Sequence, residues 1–121
     1  MLLTLLADEN MGSLYAQYLR EKTNDHIFEN EHGFATYRYL NDNKTVYIVD
    51  IFVIPEFRKD GMASAIADII VSDAKKVGCV ELIGTVVPSA KNSTDSVKVL
   101  LAYGMTLLSS SQDLVVFRKD I

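Results

Sequence analysis

Tryptophan is absent from this chain, proline occurs twice, and cysteine occurs once, at Cys79. A single thiol excludes an internal disulfide, so a reducing, cytoplasmic setting is expected. No apolar run approaches the roughly 20 residues that a membrane-crossing helix needs, so no membrane partner is expected. The apolar opening "MLLTLL" has no basic residues before it and runs straight into "ADEN", which does not read as a cleaved secretory signal. A basic surplus is also missing: 12 Lys and Arg stand against 16 Asp and Glu, for a net charge of −4. That balance argues against nucleic acid as a partner. The two histidines, His26 and His32, have no third clustered ligand, and no metal site is expected. Repeats and low-complexity linkers are lacking too, so the 121 residues are expected to fold as one domain, 1–121.

What is present is a sequence of clear periods. Leu14 with Tyr18, and Tyr15 with Leu19, pair at i, i+4 and predict a helix over about residues 12–22. From His26 the period becomes two: "HIFENEH" and "FATYRYL" read as strands, and "NDNK" (41–44) as a polar turn. "TVYIVDIFVIP" follows, nearly all apolar, as a central strand covered on both faces should be. Its one charge is Asp50. Met62, Ile66, Ile69, Ile70, Ala74 and Val77 then mark an amphipathic helix, with Ser64, Asp68, Ser72 and Lys75 on the other face and Gly78 at its end. "CVELIGTVV" reads as a strand in which Gly84 signals a bulge or a close approach. "STDSVKVLLAY" reads as a helix capped by Ser93 or Thr94 and stopped at Gly104. "MTLL", a turn at "SSSQD" and "LVVFRK" close the chain as a hairpin. The expected class is α/β (α+β), with a right-handed parallel crossover over 45–87.

The loop "IPEFRKDGMASAI" (54–66) carries the chemistry. Basic side chains at a helix start are unexpected, because that end already carries partial positive charge. An anion held between Arg58, Lys59 and the free N–H groups near Gly61 would reconcile them. Two nucleotide fingerprints fail: G-x-x-x-x-G-K-[ST] is absent, and the next glycine after Gly61 is Gly78, too far for G-x-G-x-x-G. The pattern that fits is [QR]-x-x-G-x-[GA], as Arg58-Lys59-Asp60-Gly61-Met62-Ala63. A small residue at 61 allows close approach of phosphate oxygens, and Ala63 keeps the first helical turn low.

With "DIFVIPEF" before it and the order strand, loop, helix, strand, helix, hairpin after it, the chain resembles the GCN5-related N-acetyltransferase (GNAT) superfamily over about residues 26–121. The resemblance implies a mixed sheet with antiparallel N-terminal strands, a central parallel pair splayed around the cofactor, helices on both faces and a C-terminal hairpin. It implies acetyl-CoA as co-substrate and no metal. Its pyrophosphate would lie on backbone N–H groups of Lys59, Asp60, Gly61, Met62 and Ala63, with Arg58 near it. Backbone groups of Phe52, Val53 and Ile54 would pair with the pantetheine arm, and Gly84 would fit the splay. Asp50 would serve as general base for an ammonium nucleophile, against the plainer reading of a surface aspartate or a partner of Arg38.

The chain departs from that pattern near its last helix. Counting back from Gly104 to the places where many relatives carry asparagine and tyrosine gives Ser93 and Leu100. Ser93 is taken as the cofactor contact. Leucine cannot protonate a departing thiolate, and Tyr103 could substitute only if the helix end shifts. Two functions therefore stand: acetyl transfer to a primary amine by direct attack, and a non-catalytic acetyl-CoA-binding regulator. A cofactor-free interaction domain is a third. The short N-terminal part leaves fewer walls around an amine, which suits a protein lysine or a homodimer whose second copy completes the wall. Cys79 reads as a small buried residue, Tyr37, Tyr39 and Tyr47 as strand formers, and Lys91 and Lys98 as solvated.

Overall fold

Local chemistry starts the first helix at once in the computed structural model, which describes residues 13–121. Ser13 Oγ accepts from the N–H of Ala16 at 3.1 Å, capping α1 (Leu14–Thr23), and Asn24 ends it in the left-handed region. The periodicity located this helix but not its inner side: Ala16 is buried, whereas Leu14, Tyr15 and Tyr18 are exposed. Three strands follow, β1 (His26–Glu29), β2 (Gly33–Leu40) and β3 (Thr45–Val53). The first is shorter than "HIFENEH" implied, because Asn30 Oδ1 accepts from the N–H groups of His32 and Gly33 and turns the chain there.

A 3-10 turn, Pro55–Phe57, leads to α2 (Met62–Val77), which closes on a left-handed Gly78. Strand β4 (Glu81–Val86), helix α3 (Ser93–Ala102) and the hairpin of β5 (Thr106–Ser111) and β6 (Leu114–Asp120) complete the order. The three serines placed in the hairpin turn belong to β5, leaving Gln112 and Asp113 between the strands. The α3 cap also differs from expectation. Asn92, at φ 65°, is the capping position and offers no side-chain cap bond. Ser93 lies within the first turn, its Oγ donating to Pro88 O at 2.8 Å.

The strands form one mixed sheet in the order β1-β2-β3-β4-β6-β5. Only β3 and β4 run parallel, and their pairing ends at Ile48↔Gly84, although both strands continue. Between β2 and β3 the register slips by one residue. Tyr37 faces Ile48 and Thr36 faces Asp50, which leaves Val49 as the extra residue of a bulge. The bulge resets the alternation along β3. Val46 and Ile48 before it, and Ile51 and Val53 after it, pack with Ala35, Tyr37, Ile66 and Ile70 in the core under α2. Tyr47, Asp50 and Phe52 are thereby turned to the opposite face. There Tyr15 of α1 meets Phe34, and Arg38 pairs with the buried Asp25 at 2.8 Å, not with Asp50. Helices thus lie on both faces, yet the expectation of a fully covered β3 is corrected: Asp50 and Phe52 are exposed. Among the described residues no helix is long and apolar enough to cross a membrane.

Candidate active site

Where β3 and β4 part beyond Ile48 and Gly84, a cleft of about 730 Å³ runs through the sheet. Its lining comes from both sheet faces. Ala63, Ala67, Leu100 and Met105 lie on the helix-covered side, and Asp50 and Phe52 on the open one. Gly84 stands at the fork without any bulge of its own. A Cβ there would sit 3.3 Å from Leu100 Cδ2 and 3.6 Å from Met105 Cε, so the close approach read from the sequence is that of α3 and of Met105 beyond its end. Leu100 fills the place over Gly84 with hydrocarbon.

The loop before α2 is built by two left-handed residues, Lys59 at φ 68° and Gly61 at φ 78°. Such turns make successive N–H groups converge. Gly61 carries no side chain to cap the helix, and the N–H groups of Met62, Ala63 and Ser64 have no acceptor within the helix. Lys59, Gly61, Met62 and Ala63 all line the cleft, whereas Asp60 does not. Arg58 curls back instead of reaching outward: its Nε donates to Val53 O at 2.8 Å and its guanidinium lies 5.4 Å from the Phe52 ring centre. Its remaining N–H groups are the ones left to face an anion.

The backbone of β3 corrects the expected trio of Phe52, Val53 and Ile54. Ile54 N–H donates to His32 O at 2.9 Å and Ile54 O accepts from Phe57 N–H, so both of its groups are used inside the fold. The Phe52 carbonyl points at Gly33 of β2, where an added Cβ would come within 2.1 Å. Alternation then directs the groups of Ile51 and Val53 toward the splay, where the Val53 carbonyl is already taken by Arg58 Nε and its N–H is left. Ser93 is likewise tied to Pro88 and lies off the cleft, and its neighbour Asn92 lines it. Lys91 and Lys98, read as solvated, stand along the cleft with Asp95.

Asp50 lines the cleft, exposed and beside the bulge. Tyr103 lines it too, but its phenol is engaged: the hydroxyl donates to Asp68 Oδ1 at 2.7 Å. Burial, and then the hydrogen bond and charge of Asp68, hold that phenol well above its ordinary pKa of 10.0. Lys119 Nζ braces the same residue, donating to Tyr103 O at 2.9 Å. The helical period placed Asp68 on the solvent side, where it is exposed, but gave no sign of its bond to Tyr103. Sequence reading also missed the hydrogen bond shared by Tyr47 and Thr85 at 3.0 Å, which ties β3 to β4 near the fork.

The sequence model of the acetyltransferase (GNAT) family matches residues 7–99. The chain belongs to that family. Its fold agrees with several solved GNAT structures. A GNAT-family protein of Desulfovibrio desulfuricans superposes with a TM-score of 0.72 at 17% identity, over 88% of this chain and 79% of that one. A GNAT acetyltransferase of Elizabethkingia anophelis, solved with acetyl-CoA bound, gives 0.68 at 17% identity over 89% and 82%. An acetyltransferase of Bacillus subtilis, solved in complex with CoA, gives 0.67 at 15% identity over 87% and 83%. No curated protein matches the chain. GNAT membership explains the order of elements and the splayed parallel pair together.

Proposed function

We propose that residues 1–121 form one acetyltransferase domain that binds acetyl-CoA in the cleft and acetylates a primary amine by direct attack. The observation that carries this reading is the continuous cleft from the Gly61 loop, through the fork at Gly84, to Asp50. When bound, acetyl-CoA supplies an acetyl group activated as a thioester. The N–H groups at the start of α2, with Lys59 and the free part of Arg58, form a cradle suited to a diphosphate. Lys91 and Lys98 add positive charge along the same wall. Ile51 and the N–H of Val53 offer a strand edge for an amide-bearing arm, and an N–H on that edge would stabilise oxygen charge as the amine attacks. Asp50 accepts a proton from the incoming ammonium, directly or through water. Tyr103 is a weak candidate for the acid, because its proton is already held by Asp68.

The open face beside Asp50 suits an amine presented on a larger body, such as a protein lysine. A second copy of the chain could complete the wall. The buried Cys79 thiol, raised in pKa by burial, is compatible with a reducing cytoplasm. The second reading, a regulator that binds acetyl-CoA without transfer, draws support from Leu100 over Gly84, where no proton donor stands. Calorimetry with acetyl-CoA, followed by thiol-release assays over free amines and lysine peptides, separates the two. Binding with thiol release supports the enzyme, binding alone supports the regulator, and absence of binding sinks both.

A further inference from the structure

Beyond Asp50 the open face of the sheet carries an aromatic row, from β3 across β2 to α1, that the transfer reading leaves unused. Phe34 and Phe52 are register partners whose rings stack at 5.7 Å, and Tyr15 meets Phe34 edge-on at 6.1 Å. Phe52 remains 41% exposed and Tyr15 52%, although both are flanked by other rings. Asp50 and Phe52 lie on the same side of the strand and both line the cleft. Two residues of extended chain separate them by about 7 Å. A carboxylate followed at that distance by open aromatic surface matches a ligand with a cationic end and an apolar end.

We infer that the acceptor is a primary amine bearing an apolar, preferably aromatic, group set off by a short spacer, with that group seated on Phe52 and Phe34. This rests on the reading of the cleft as an acetyl-transfer site with its amine at Asp50. Charge supports the choice at the near end, where Asp50 favours an ammonium. At the other end an apolar body covers exposed ring surface, and an aromatic one adds a stacking preference. The same chemistry could come from a free arylalkylamine or from a lysine beside an apolar side chain.

The test is steady-state acetylation of 4-phenylbutylamine, n-butylamine and putrescine, together with two lysine peptides that differ only in a phenylalanine or serine flanking the lysine. The phenyl compound is expected to exceed both other amines in kcat/KM by about tenfold or more, mainly through KM. Phe52→Ala and, separately, Phe34→Ala should bring the phenylbutylamine-to-butylamine ratio close to one. That ratio is insensitive to a general loss of folded enzyme. A greater preference between the peptides than between the free amines assigns the source to protein lysines, and the reverse assigns it to small amines. Turnover with equal kcat/KM for all amines, or a ratio unmoved in both variants, overturns the inference and leaves the transfer reading standing. Acetyl-CoA binding with no amine turned over removes the transfer reading, and this inference with it.

Discussion

Tyr103 and Asp68 join the two helices that flank the cleft, the phenol of the first donating to the carboxylate of the second at 2.7 Å. A proton held in that bond, on a phenol whose pKa is already raised, is poorly placed to reach a leaving thiolate. Tyr103→Phe is therefore expected to keep kcat within about threefold of the parent, against the 10²- to 10⁴-fold loss typical of a removed general acid. Thiol release under saturating acetyl-CoA measures it. A loss of about a hundredfold would return Tyr103 to the mechanism.

The same phenol gives stability a sign on the alkaline side. Its proton is held more tightly in the folded chain than at the ordinary value of 10.0 in the unfolded one. The linked stabilisation is whole below about pH 10 and is lost as pH rises through the folded value. Tyr39, pushed up to about 12 chiefly by burial, acts in the same direction. Denaturant midpoints should fall from about pH 10 upward, and less steeply in Tyr103→Phe. Parallel declines in both proteins would contradict the assignment.

Gly61 separates geometry from chemistry. At φ 78° any side chain is strained, yet an added Cβ meets nothing within 4 Å. Gly61→Ala should cost about 1–2 kcal/mol of stability while weakening acetyl-CoA only modestly. Gly61→Glu adds bulk and negative charge to the cradle and should abolish binding in calorimetry. Binding equal to the parent in the Glu variant would move the diphosphate elsewhere.

Asp50→Asn keeps shape and removes the base. The expected outcome is a kcat/KM lowered by about 10²- to 10⁴-fold, with acetyl-CoA affinity unchanged. Initial rates set beside calorimetry on the same preparation distinguish this from a folding defect.

At the fork, Gly84→Ala needs only small shifts of the flexible Leu100 and Met105 side chains. Gly84→Val forces them apart and should destabilise by about 1–3 kcal/mol. Urea titration of the two variants checks the order, and equal stabilities would mean that α3 does not press on this strand.

Much of this architecture could be read from residue order. The helix of Met62 to Val77 and its terminal glycine were legible from local pattern, as was the loop R-x-x-G-x-A before it, although of the expected apolar stripe Ile66, Ile70 and Ala74 are buried while Ile69 and Val77 are exposed. The fork was hinted at by Gly84 and then fixed by pairing that stops there. Which peptide groups of β3 face the fork was not legible, because the answer depends on Ile54 bonding to His32, a contact across the sheet. The exposed side of Asp68 was legible, but its partner was not, for a similar reason. A helical period separates buried from exposed, but a polar residue at the edge of the stripe finds its partner only when another helix arrives. Ser93 shows the limit of counting, since the turn at Pro88 holds its hydroxyl and leaves Asn92 toward the cleft.

The extra residue in β3 ties the open face to the length of the chain as well as to its letters. With Val49 in place, Asp50 and Phe52 fall opposite Thr36 and Phe34, away from the packed core. Were Val49 held in plain alternation, without the bulge, every following residue would turn over. The carboxylate and the ring would then point beneath α2, and Ile51 and Val53 would point to water. A charge so placed is costly to bury. Deleting Val49, by contrast, would leave Ile48 followed directly by Asp50 and keep both faces as they are. Loss of this one residue is therefore tolerable where loss of a neighbour is not, and the bulge works as a spacer that sets which side of the sheet the rest of the strand presents.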